Sequence, residues 1–138
     1  MKVFIYYKGR VQLDNQTVLM EELSSKEYTN ILYLPALDSR VKKDLKKEFE
    51  LYRGLLAKGG GVIELTPYLD YFSVFMFILA VLTEDKNGAT ESKCQNYFSI
   101  KSLWELLEMS QECWLVKNSV VLFYFHVYCD TEKELFEE

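Results

Sequence analysis

The sequence predicts an all-α fold: a segment of an armadillo-like α-solenoid, preceded by a short extended arm. Three observations predict it. Stretches of helical periodicity follow one another with short connections. Two of them, "FSVFMFILAVL" and "VVLFYFHV", are apolar on nearly every side, and such a helix has to be enclosed by neighbours. In a chain of 138 residues, 49% hydrophobic and 15% aromatic, two enclosed helices are more than a small free-standing bundle covers, whereas a solenoid covers each helical pair with the next. No strict internal repeat is visible, so the solenoid rests on burial alone. Residues 1–138 read as one helical domain or one piece of a larger one.

The elements follow in order. "KVFIYYKG" is extended and closes at Gly9. Asp14 to Leu23 reads as a short helix capped by Asp14 or Asn15. "SSKEYTNILYLP" is ambiguous, except that Pro35 makes Leu34 extended. Asp38 or Ser39 then caps a helix whose Val41, Leu45, Phe49, Tyr52 and Leu56 recur at the 3.6 period. Lys42, Lys43, Lys46 and Lys47 occupy its other, solvated side. Gly59-Gly60-Gly61 ends it, because glycine takes positive φ without a Cβ penalty. Thr66 caps the next helix and Pro67 suits its first position; the apolar run is its body, to about Leu82. "EDKNGATESK" is a polar connection turning at Asn87-Gly88, with Glu91 and Lys93 solvated. Ile100, Leu103, Trp104 and Leu107 form one face of a further helix, with Ser102 and Glu105 as a capping box. The last helix starts near Asn118 or Ser119 and runs into an acidic tail. A buried strand is the alternative for its β-branched, aromatic centre.

Composition narrows the function. Sixteen basic against 21 acidic residues give a net charge of -5, which disfavours a nucleic-acid partner, since phosphate binding needs a basic footprint. Between Asp70 and Glu84 lie 13 residues, short of the roughly 20 a bilayer span needs. Extending backwards brings in Glu64, and an acid at mid-bilayer costs about 2.5–3.5 kcal/mol. The run therefore reads as protein core rather than a membrane insertion. Cys94, Cys113 and Cys129 lack CxxC spacing, and with one histidine they do not make a four-ligand zinc site. They read as reduced, buried thiols of a cytoplasmic protein. Asn15-Gln16-Thr17 matches a glycosylation acceptor, but the N-terminus is too short in apolar residues for a signal peptide, so it reads as a helix start.

No active site emerges. Gly59-Gly60-Gly61 lacks the Gly-Lys-Ser/Thr of a phosphate loop. His126 and Asp130, four apart, would share a helical face and could orient an imidazole for base catalysis. No nucleophile accompanies them, and a packed core histidine with one hydrogen-bond partner is the plainer reading. Nothing basic adjoins Cys113 to activate it. The residues describe a helical interaction module, not an enzyme, with no cofactor.

One stretch is more specific. Thr83-Glu84-Asp85-Lys86-Asn87 is followed by Thr90-Glu91-Ser92-Lys93-Cys94, and further on by His126, Tyr128 and Asp130-Thr131-Glu132. This resembles a segment of the inositol 1,4,5-trisphosphate receptors, the tetrameric calcium-release channels of the endoplasmic reticulum. Their cytosolic solenoid carries a similar "TExKNxxTExKC" stretch, an apolar helix before it and a closing helix after it. The likeness covers about Tyr68 to Glu134, roughly half the chain. It implies the helical part of such a channel that couples ligand binding to the pore, at the cytosolic face of the membrane, with the rest of a large subunit and neighbouring subunits as partners. It carries over no inositol phosphate or calcium residue. "GGGV" at Gly59–Val62 matches the family's selectivity filter only superficially, since Ile63 and Glu64 break the pattern. The resemblance makes the loop of Lys86, Asn87, Glu91 and Lys93 a candidate contact surface. An independent helical adaptor that binds a protein partner is the alternative.

Overall fold

Thr66 starts the central helix as its sequence requires. Its hydroxyl accepts from the Leu69 amide at 3.3 Å, Pro67 fills the first helical position, and the helix runs Pro67–Thr83. The computed structural model describes residues 6–8, 10–24, 39–59 and 64–130. In chain order these form β1 (Tyr6–Tyr7), β2 (Arg10–Val11), α1 (Leu13–Ser24), α2 (Ser39–Ala57), α3 (Pro67–Thr83), α4 (Gly88–Tyr97), α5 (Ile100–Met109) and α6 (Trp114–Tyr124), which continues into a π-helical turn, Phe125–Cys129. The fold is therefore all-α apart from one small antiparallel hairpin, which pairs Tyr6 with Val11 and Tyr7 with Arg10. Of the extended arm, Tyr6–Tyr7 form the first strand of this hairpin, and the strand alternative for "VVLFYFHV" gives way to helix. Residues 1–5, 9, 25–38, 60–63 and 131–138, with the readings placed on them, lie outside the described residues.

The two apolar helices are the frame. α3 and α6 lie side by side and run the same way: the Ser73 hydroxyl donates to the Leu115 carbonyl at 3.2 Å and meets the Ser119 hydroxyl at 3.1 Å. Further along, Val81 of α3 and His126 of the π turn line one cleft. Phe98, at the end of α4, is fully buried against both helices and meets the rings of Phe72 and Phe123 edge-on at 6.4 and 5.5 Å. Leu69, Met76, Leu79, Leu82, Val116 and Val120 complete this centre, and Leu45 and Phe49 of α2 extend the same core. Burying one such side chain stabilises by about 1.5–3 kcal/mol. α2 is also tied to α5 by the ion pair of Lys42 with Glu105 at 2.6 Å, and to the turn after α5 by that of Arg53 with Glu112 at 3.6 Å. Lys42 is thus paired, not simply solvated like its neighbours on that face.

Several boundaries differ from the sequence reading. α6 begins at Trp114, because Ser119 is not a cap: mid-helix, its hydroxyl donates back to the Leu115 carbonyl at 3.1 Å. α5 begins at Ile100, where Ser99 accepts from the Ser102 amide at 3.1 Å, and Glu105 turns to Lys42 instead of closing a capping box. Its buried residues are Leu103 and Leu106, while Ile100 and Trp104 face outwards. Leu56 of α2 is likewise exposed. The largest correction is α4. "GATESKCQNY" is a helix, not a connection. Asn87 is its N-cap, and the face it buries is Thr90, Glu91 and Cys94, too polar to register as an apolar period.

Neither apolar helix is enclosed all round. Tyr71, Val74 and Phe77 of α3, with Trp114, Leu115 and Val121 of α6 and Phe125 just beyond it, are exposed. Among the described residues, no helix is long and apolar enough to cross a membrane.

Candidate functional site

Those residues of the resemblance that the structure describes, from Thr83 to Cys94 and from His126 to Asp130, fold into one corner of the molecule. After α3 the chain turns through Asp85 and Lys86, both at left-handed φ (67° and 61°), before Asn87 starts α4. The Asn87 side chain is 5% exposed. Its oxygen accepts from the Thr90 amide at 3.4 Å. Its amide nitrogen lies 3.0 Å from the Leu13 carbonyl, 3.1 Å from Gln16 Oε1 and 3.2 Å from Thr17 Oγ1. Two hydrogens serve three acceptors, all on α1. Gln16, fully buried, answers by donating to the carbonyls of Val81 and Glu84, each at 2.9 Å. These lie at the C-terminal end of α3, where the Glu84 amide also donates to the Val81 carbonyl at 3.3 Å. One glutamine and one asparagine thus bind α1 to the α3–α4 corner.

The second half of the motif closes on the first. Lys86 pairs with Asp130 at 3.7 Å. The Tyr128 hydroxyl donates to the Phe98 carbonyl at 2.5 Å, and the Gln95 amide donates to the Val127 carbonyl at 3.0 Å. Cys94 is fully buried in the core of this joint, and burial, with the Glu91 carboxylate nearby, pushes its thiol up to about 12. The π turn, whose Asp130 amide donates to the Phe125 carbonyl at 2.8 Å, supplies both Tyr128 and Val127. A widened turn re-aims the side chains at a helix end.

The four residues assigned to a contact loop therefore divide. Asn87 and Glu91 are buried, correcting the reading of Glu91 as solvated. Lys86 and Lys93 are half-buried. Gln16 was missed, since nothing in "DNQTVLM" distinguishes a buried amide from a solvated one.

His126 is also placed differently. It is half-buried at the wall of a cleft, and its Nδ1 is buried without a hydrogen-bond partner. Asp130 lines the same cleft but engages Lys86. The cleft, about 520 Å³, lies between the hairpin, the end of α3 and the π turn. A second, of about 300 Å³, adjoins it and is walled by Phe77 and Leu122. Between them Tyr6 donates its hydroxyl to Glu84, and burial first, then this bond, pushes its phenol up to about 12. Among the described residues, no serine, threonine or cysteine lines either cleft. All three cysteines are free; Cys94 and Cys113 are buried and Cys129 is half-buried. Among the described residues, no cluster of metal-ligating side chains occurs.

Comparison with known protein families, with curated proteins and with solved structures finds no match.

Proposed function

We propose that this chain is a coupling segment from the cytosolic armadillo-like solenoid of an inositol trisphosphate-gated calcium-release channel. In this reading it neither conducts nor catalyses. It passes ligand-induced motion on as rigid-body displacement of packed helices, at the cytosolic face of the endoplasmic reticulum. Its partners are the rest of a large subunit and the neighbouring subunits, with Lys86 and Lys93 on the contact side.

The observation that carries the reading is the meeting of the two halves of the motif. Lys86 reaches Asp130, and Tyr128 reaches the end of α4. Residues far apart in sequence have a shared reason for their spacing: together they lock α3, α4 and the end of α6. A lever that transmits motion needs such locked corners, because packed elements move as units and do not deform smoothly. The open apolar faces of α3 and α6 suit a segment that neighbouring helices cover.

An antibody raised against this segment tests the proposal. It should detect a polypeptide many times longer than this chain, in endoplasmic reticulum membranes, retained on immobilised inositol trisphosphate. A polypeptide of this chain's own length, free of membranes, would overturn it. That outcome would favour the second reading, an independent helical adaptor, which the single hydrophobic core reaching from α1 to the π turn supports.

A further inference from the structure

The paired clefts at His126 match two adjacent side chains of opposite character. The larger is lined by three carboxylates, Glu84, Asp85 and Asp130, against one guanidinium, Arg10. Lys86 approaches Asp130 at 3.7 Å and offsets part of that charge. The smaller is apolar, with Phe77, Ala80, Val81 and Leu122 as its walls. Glu84 and His126 belong to both, so the two clefts adjoin.

We propose that this double cleft docks an extended peptide segment of a protein partner, one presenting a lysine or arginine beside an apolar residue. The basic side chain enters among Glu84, Asp85 and Asp130. The apolar one packs against Phe77 and Leu122, burying surface that the chain leaves open. His126 stands in the wall common to both clefts, with its Nδ1 buried behind that surface. The π turn fixes the imidazole there, as such turns do at functional positions. The consecutive left-handed residues Asp85 and Lys86 hold the acidic rim, a strained geometry that persists where surrounding contacts over-determine it. The site belongs to this chain alone and stands with either reading of its larger role.

The test is NMR titration of the full chain with acetyl-Phe-Arg-amide, following the His126 imidazole and the Phe77 ring. Saturable shifts at both are expected. Acetyl-Phe-citrulline-amide, isosteric but neutral, should bind about threefold to fivefold more weakly, the scale of a half-exposed ion pair. Acetyl-Gly-Arg-amide should be weaker by about tenfold or more, for want of the apolar side chain. Asp85→Asn, at an exposed rim position, should weaken the arginine peptide and leave the citrulline peptide unchanged. Absence of saturable shifts, equal binding of arginine and citrulline peptides, or 2-phenylethylamine binding as tightly as the dipeptide would overturn the proposal; the last would assign the cleft to a small amine.

Discussion

Replacing Asn87 with alanine removes two roles at once, and the structure gives the size of each. Loss of the cap to the Thr90 amide, a long bond at 3.4 Å, costs about 1 kcal/mol or less. The other loss is across the helices. Gln16 is fully buried, and its Oε1 accepts from Asn87 at 3.1 Å. Left without a donor, that oxygen costs about 1–3 kcal/mol. The Leu13 carbonyl and Thr17 hydroxyl are closer to solvent and regain water, so they add little. The expected loss for Asn87→Ala is about 1–4 kcal/mol, out of a total stability on the order of 5–15 kcal/mol. Asn87→Asp separates the roles. It keeps a good cap but turns an acceptor-only carboxylate on three acceptors, so it should be destabilising as well. Urea unfolding followed by far-UV circular dichroism measures both, with the slope unchanged. In a double-mutant cycle, Gln16→Ala with Asn87→Ala should cost less than the sum of the singles by about 1 kcal/mol or more. A loss for Asn87→Ala within about 0.5 kcal/mol, the range of a surface substitution, would refute the clamp.

Three further outcomes follow from the same geometry. The Tyr6 phenol, raised from 10.0 to about 12 chiefly by burial and then by Glu84, favours its protonated form in the fold; its contribution is fully present below about pH 10 and is lost as pH rises through about 12. NMR of labelled tyrosine should show this, and a Tyr6 titrating near 10.0 would contradict it. Cys94 and Cys113, 0% and 1% exposed with thiols raised by burial, should resist a thiol reagent until the chain unfolds, leaving half-buried Cys129 as the residue that mass spectrometry finds labelled first. The exposed apolar residues of α3 and α6 should drive self-association of the isolated chain; Val74→Lys with Leu115→Lys should reduce it in size-exclusion light scattering, and a clean monomer at high concentration would count against the open face.

What the sequence made legible divides along physical lines. α3 was readable because its signals are local: Thr66 and Pro67 at one end and an apolar body between. α2 was readable because its buried residues Val41, Leu45 and Phe49 keep a strict period. α4 was not, because it stands on Asn87, Thr90 and Glu91, polar residues whose partners lie on other elements. Asn-Gly reads equally as a turn and as a cap followed by the first helical residue. Ser119 could not be told from a cap without knowing that Ser73 lies opposite it. The residues of the motif were visible as a pattern, and their likeness to a channel solenoid was drawn from that pattern. That Lys86 meets Asp130 and that Gln16 completes the corner required three dimensions. His126 was misread because a histidine within an apolar run looks enclosed, whereas the widened π turn brings it to a cleft wall.

The account depends on α3, α4 and the end of α6 moving as one body. Native-state hydrogen exchange tests this most directly. The amides of Cys94 in α4, of Phe98 capping it and of Asp130 capping the π turn should exchange with the same free energy as those at the centres of α3 and α6, near that of global unfolding. Exchange of α4 and the π turn through a separate opening, several kcal/mol below the core, would show a hinge where the structure places a lock.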